Sequence, residues 1–150
     1  MPQSLSRVLI HLIFSTKNRV RLIKPSIQPE LHRYLGGTLN KLDCPSIQVG
    51  GVDDHVHLFF GMNRTLAIAD VVETVKTSSS KWMKTKGEDY RAFRWQSGYA
   101  ALSVSQSGAD RVVTYIQRQP QHHQRISFQD EYRRFLKRYG IEFDERYVWD

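Results

Sequence analysis

At 150 residues, with 40% hydrophobic and 25% charged content, the sequence reads as one ordinary globular domain, 1–150, able to bury a core without disulfide or metal staples. Its single cysteine, Cys44, excludes an internal disulfide and a cysteine-based zinc cluster and points to a reducing compartment. Twenty-two Lys and Arg against fifteen Asp and Glu give +7, and since 141–150 carry −3, the first 140 residues carry +10, a balance that suits a polyanionic partner.

The apolar run 8–14 is rich in branched residues and predicts a largely buried strand. It is too short to span a membrane and has His11 in its middle. No small-residue cleavage site follows it, so the expected location is the cytoplasm. After the basic loop 17–24, a helix is predicted over 26–42, with Pro29 in its first turn and Leu31, Leu35, Leu39 and Leu42 at helical spacing. The runs 47–52 and 55–60, separated by Asp53-Asp54, read as a hairpin. Thr65 is the expected cap of a helix to Lys84, with a core stripe of Ile68, Val71, Val72, Val75 and Trp82. A strand over 99–105 follows, then helices over 107–119 and 127–139. The last is capped by Ser127, stopped by Gly140, and packed through Tyr132 and Tyr139. The order defines an α+β protein with a ferredoxin-like βαββαβ antiparallel sheet, helices on one face and extra C-terminal helices.

Two constellations carry chemistry. In the strand over 55–60, alternation places His55, His57 and Phe59 on one face and Val56, Leu58 and Phe60 on the other. The fully apolar face belongs under the helices, so both imidazoles are expected on the uncovered side, where they could hold one metal ion. The alternative is two histidines on a half-exposed strand. Sixty residues on, Tyr115 and Gln119 stand one helical turn apart, with Arg111, Arg118 and His122 near that face. The alternative there is a surface tyrosine packed on its neighbours. Pro120 disfavours helical geometry at Gln119, so the helix is predicted to end or kink at that residue.

His55-Val-His57 and Tyr115-x-x-x-Gln119, together with Phe14-Ser-Thr-Lys-Asn-Arg19, Trp95-Gln-Ser-Gly-Tyr99 and Tyr139-Gly-Ile-Glu-Phe-Asp-Glu-Arg-Tyr147, give the chain a resemblance. It resembles the single-tyrosine HUH transposases of small bacterial insertion sequences and their repeat-associated relatives, over essentially its whole length. The resemblance implies a ferredoxin-like fold, Tyr115 as nucleophile, and His55, His57 and Gln119 as ligands of a divalent metal, Mg2+ or Mn2+. It also implies single-stranded DNA with hairpin ends as substrate, a 5′-phosphotyrosine intermediate, and a homodimer. One departure is Arg118, where a small amide residue is expected.

No phosphate-binding glycine loop is present, so no nucleotide cofactor is expected, nor a membrane partner. For DNA phosphates the candidates are Lys17, Arg19 and Arg21 after the first strand, Lys76, Lys81 and Lys84 on the second long helix, and Arg94, with Trp95 or Trp82 for base stacking. His122 and His123 stand open between structural and proton-transfer roles. Two rival readings remain. One is a domesticated, non-catalytic hairpin or single-stranded nucleic-acid binder. The other is a zinc hydrolase built on His55, His57 and His122 or His123, for which only Asp53 or Asp54 offers a general-base carboxylate.

Overall fold

All seven residues of β1 (Leu9–Ser15) are buried, so the sheet that contains it needs cover on both faces. The computed structural model describes residues 2–150 and supplies that cover. After β1 come α1 (Gln28–Lys41), β2 (Ser46–Gly51), β3 (His55–Gly61), α2 (Ile68–Lys84) and β4 (Ala100–Val104). Then follow α3 (Ala109–Gln117), the single turn α4 (Gln119–His122) and α5 (Phe128–Arg138). The strands form one antiparallel sheet in the order β2-β3-β1-β4, the expected βαββαβ arrangement. No helix is long and apolar enough to cross a membrane among the described residues.

On one face α1 and α2 bury Leu31, Leu35, Leu39, Val71, Val72 and Val75 against Ile10, Leu12, Phe14, Val56, Leu58 and Phe60. Each such fully buried aliphatic or aromatic side chain contributes roughly 1.5–3 kcal/mol of transfer free energy. The other face was expected to be open, and it is not. Phe128, Tyr132 and Leu136 of α5 pack on Ile13, Ala100 and Leu102, and Ile116 of α3 packs on Leu9 and Phe59. The histidine face of the sheet carries too much apolar surface to stay wet, and the C-terminal helices close over it.

Local departures have local causes. The second long helix begins at Ile68 with Ala67 in the cap position, because Asn63 Oδ1 accepts bonds from Thr65 N (2.9 Å) and Oγ1 (2.8 Å) and holds Thr65 in a turn. Ile68 is exposed, and Ser79 and Met83 take the inner positions. Tyr139 is also exposed rather than core, and its hydroxyl donates to the Ser103 carbonyl at 3.0 Å. Ser127 caps α5 as expected, accepting from Asp130 N at 3.2 Å.

His32 on α1 gives a pH prediction. Its Nε2 is buried without a partner, and burial pulls its pKa from 6.5 to about 4. Between those values the unfolded chain takes up a proton that the folded chain refuses. Stability is therefore full above pH 6.5 and falls as pH drops, by about 3 kcal/mol over the whole window. In His32→Gln, the difference in urea-unfolding free energy between pH 7 and pH 4.5 is expected to shrink by roughly 2 to 3 kcal/mol.

Candidate active site

Strand alternation sends His55 and His57 to the same face, as expected, but both are fully buried beneath α3–α5. His55 lies opposite Ser15 and His57 opposite Ile13 of β1. The helix read over 107–119 is divided. A 3-10 turn at Gln106–Gly108 leads into α3, which ends at Gln117; Arg118 (φ −94°, ψ 11°) leaves helical geometry, and α4 restarts at Gln119. The break falls one residue earlier than proline alone predicts. Pro120 then sits in the first turn of α4, where its missing N–H costs nothing. The break turns Gln119 fully inward, with Oε1 2.9 Å from His55 Nε2.

Glu131, in the first turn of α5, is the hub of the site. Its Oε1 lies 3.0 Å from His57 Nε2 and 3.4 Å from His55 Nε2. Its Oε2 accepts from the Tyr115 hydroxyl and from Gln119 Nε2 at 3.1 Å, and lies 3.1 Å from His123 Nε2. His122 Nε2 stands 3.3 Å from the Tyr115 hydroxyl. The inner nitrogens are backed by a second layer. His55 Nδ1 is 2.7 Å from Asp54 Oδ1, His57 Nδ1 is 2.7 Å from His11 Nε2, and His123 Nδ1 donates to the Ile126 carbonyl at 2.8 Å.

Burial opposes charge on His55, but hydrogen bonds to Asp54 and Glu131 outweigh it and raise its pKa to about 9. Burial lowers His57 and, with His57 as neighbour, His11. Burial likewise works against the Glu131 carboxylate, yet the surrounding His57, His123 and His55 hold it far below the usual carboxylate range. Burial, then the Glu131 charge, pushes the Tyr115 phenol above its ordinary value of 10.

The donor set fits a divalent cation. His55, His57, His123 and Glu131 offer ligand atoms that all lie within 4.8 Å of one another. His123 Nε2 has no hydrogen-bond partner, although Glu131 Oε2 is close by. With Nδ1 bonded to the Ile126 carbonyl, Nε2 faces the Glu131 carboxylate, and a cation held between the two would satisfy both.

The sequence did not mark His11 and Glu131 as site residues, and it offered His123 only within the zinc-hydrolase alternative and as an open proton-transfer candidate. A signal existed for Glu131: it interrupts the inward stripe Phe128, Tyr132, Phe135, Leu136 at helical spacing, and a charge in a buried stripe is rarely incidental. His11 had the same mark, one polar residue inside an apolar strand. Glu131 is also the carboxylate that the hydrolase reading lacked.

Of the expected phosphate contacts, Lys17, Lys81, Lys84 and Arg94 line one groove of about 410 Å³ between α2 and residues 94–97. Lys76 borders it too, but its ammonium donates to the carbonyls of Gln96 (2.7 Å), Ser97 (3.1 Å) and Gly98 (2.6 Å). Burial lowers its pKa to about 8, and its role in the fold is to hold that loop. Arg19 stands over the Trp149 ring at 5.5 Å and Arg21 reaches Asp53 at 4.0 Å, both away from the groove. Trp95 is buried with Nε1 bonded to Ser79 Oγ at 2.9 Å, so it cannot stack on a base; Trp82 is stacked on Tyr34. Tyr115 itself is half-buried and opens on a cleft of about 790 Å³ lined by Arg111, Arg118, Gln121, His122 and Arg125.

A ferredoxin-like sheet thus carries paired strand histidines beneath an interrupted tyrosine helix and a converging glutamine. The model of the family "Transposase IS200 like" matches residues 4–119, and the chain belongs to that family. Among solved structures it is similar to a transposase candidate from Deinococcus radiodurans R1, with 23% identity and TM-score 0.62 over 79% of this chain and 98% of the other. It is also similar to a REP-associated tyrosine transposase bound to a REP hairpin, with 12% identity and TM-score 0.59 over 82% of this chain and 73% of the other. At these identities the likeness concerns the fold. No curated protein matches the chain.

Proposed function

We propose that residues 1–150 form one single-tyrosine HUH domain that cuts and rejoins single-stranded DNA through Tyr115. The observation that carries this reading is the convergence of Tyr115, Gln119, His55 and His57 on one buried centre from segments 64 residues apart. His55, His57 and Gln119 would hold a divalent ion, Mg2+ or Mn2+, which supplies charge neutralisation at the scissile phosphate. Tyr115 Oη forms a bond to phosphorus as the bond from phosphorus to the 3′ oxygen breaks, leaving a 5′-phosphotyrosine and a free 3′-hydroxyl. Attack by a different 3′-hydroxyl reverses the step and joins new strands, so no nucleotide is consumed.

At rest the phenol is neutral, because burial and the Glu131 charge both disfavour phenolate. Its proton is held in the hydrogen bond to Glu131 Oε2. We extend the reading to hairpin-ended single strands, given what the REP-associated neighbour binds, and to a homodimer. Lys17, Lys81, Lys84 and Arg94 are the proposed phosphate contacts. The closure of the centre beneath α5 favours a second reading, a hairpin binder that has given up cleavage.

Incubation with end-labelled hairpin DNA and Mg2+ or Mn2+, resolved on a denaturing gel, separates the two. Cleavage predicts a protein-linked DNA band that disappears with EDTA and falls by at least about a hundredfold in His57→Ala. Hairpin retention without a covalent band in any metal would favour the binder.

A further inference from the structure

We propose that Glu131 and His123 complete the metal centre with His55 and His57, and that this set takes Zn2+ or Co2+ in preference to Mg2+. The inference rests on the proposed Tyr115 chemistry and revises its metal: Glu131 and His123 take the place given above to Gln119, and the preferred ion is Zn2+ or Co2+ rather than Mg2+ or Mn2+. Three observations carry it. Glu131 is 2% exposed yet bears a carboxylate on a helix otherwise packed through apolar side chains. His123 Nε2 is buried, unpartnered and turned toward that carboxylate, with its other nitrogen tied to the Ile126 carbonyl.

The third observation is metric. Glu131 oxygens lie 3.0, 3.4 and 3.1 Å from the Nε2 atoms of His57, His55 and His123. One donor atom from each of the four residues lies within 4.8 Å of the other three, a cluster that a single ion can gather. Three imidazoles also argue against magnesium, which prefers oxygen donors and keeps its water, whereas imidazole suits later divalent ions. The second layer has the form that tunes such sites, since Asp54 and a backbone carbonyl fix the outer nitrogens of His55 and His123.

Untagged, metal-stripped protein titrated calorimetrically with Zn2+, Co2+ and Mg2+ tests this without reference to DNA cleavage, and the visible absorption of bound Co2+ reports the ligand set. Wild type is expected to bind Zn2+ and Co2+ at least about a hundredfold more tightly than Mg2+. Glu131→Gln and His123→Asn should each weaken Zn2+ binding at least about tenfold and alter the Co2+ spectrum. Circular dichroism monitors folding, and His123, which lies just beyond α4, carries the decision if Glu131→Gln does not fold. Wild-type affinity in both variants, with loss only in His57→Asn, would overturn the inference and leave the proposed function standing. Equal affinity for Mg2+ would overturn the preference. Failure of wild type to bind any of the three ions would remove the inference and the metal-assisted mechanism together.

Discussion

Phenylalanine at position 115 is expected to reduce the covalent protein–DNA species by more than about a thousandfold while leaving the protein folded, at a cost of about 1–2 kcal/mol. The Tyr115 ring packs edge-on against His57, His122 and Phe135 at centroid distances of 5.8, 5.3 and 5.6 Å, contacts that phenylalanine retains. What it loses is the hydroxyl bonded to Glu131, worth about 1–2 kcal/mol, or a melting shift of a few degrees. Glu131 keeps Gln119 and the histidines as partners, so the pocket does not collapse. A gel of DNA-linked protein beside a thermal melt measures both quantities. A band that survives in Tyr115→Phe would move the nucleophile to another hydroxyl while preserving the chemistry.

Gly50→Val is expected to destabilise the protein by about 2 to 3 kcal/mol and to lower strand cleavage with it. Gly50 sits in β2 where α3 crosses closely. A Cβ there would lie 2.7 Å from Ile116 Cγ2 and 2.9 Å from the Ile116 carbonyl oxygen, so backbone has to yield. Ile116 adjoins Tyr115, and its side chain is the anchor of α3 on Leu9 and Phe59. Pushing α3 off the sheet therefore moves Tyr115 and the Arg118 break together. Chemical denaturation gives the stability, and the covalent-adduct assay gives the activity. Loss of stability with unchanged adduct formation would show that α3 can reseat. The same argument in reverse explains why a glycine occupies a strand position, where it otherwise weakens the strand.

The strands and long helices were legible because each carries its own periodicity. Alternation around His55 and His57 placed both imidazoles on one face, and leucines four apart marked α1. The covering of that face was not legible, because Phe128, Tyr132 and Leu136 form an amphipathic stripe that says nothing about which sheet surface receives it. That gap made an enclosed centre read as an open one. Glu131 was hidden by the same gap: beside the Ser127 cap an acid in the first turn is ordinary helix chemistry. Its second role depends on contacts with residues 74 positions away. Pro120 did signal the interruption of the tyrosine helix, and only tertiary packing put the break at Arg118. Lys76 looked like any surface lysine, since nothing local reveals three carbonyls waiting above α2.

The hub position of Glu131 also bears on biosynthesis. Its partner His57 leaves the ribosome first, and 74 residues separate the two. At roughly 5–20 residues per second, on the order of 4 to 15 seconds of translation pass between them. Throughout that interval the nascent chain has its paired histidines but neither the carboxylate that accepts from Tyr115 nor the helix that closes the centre. The centre is therefore closed only when α5, near the end of the described residues, folds back over the sheet.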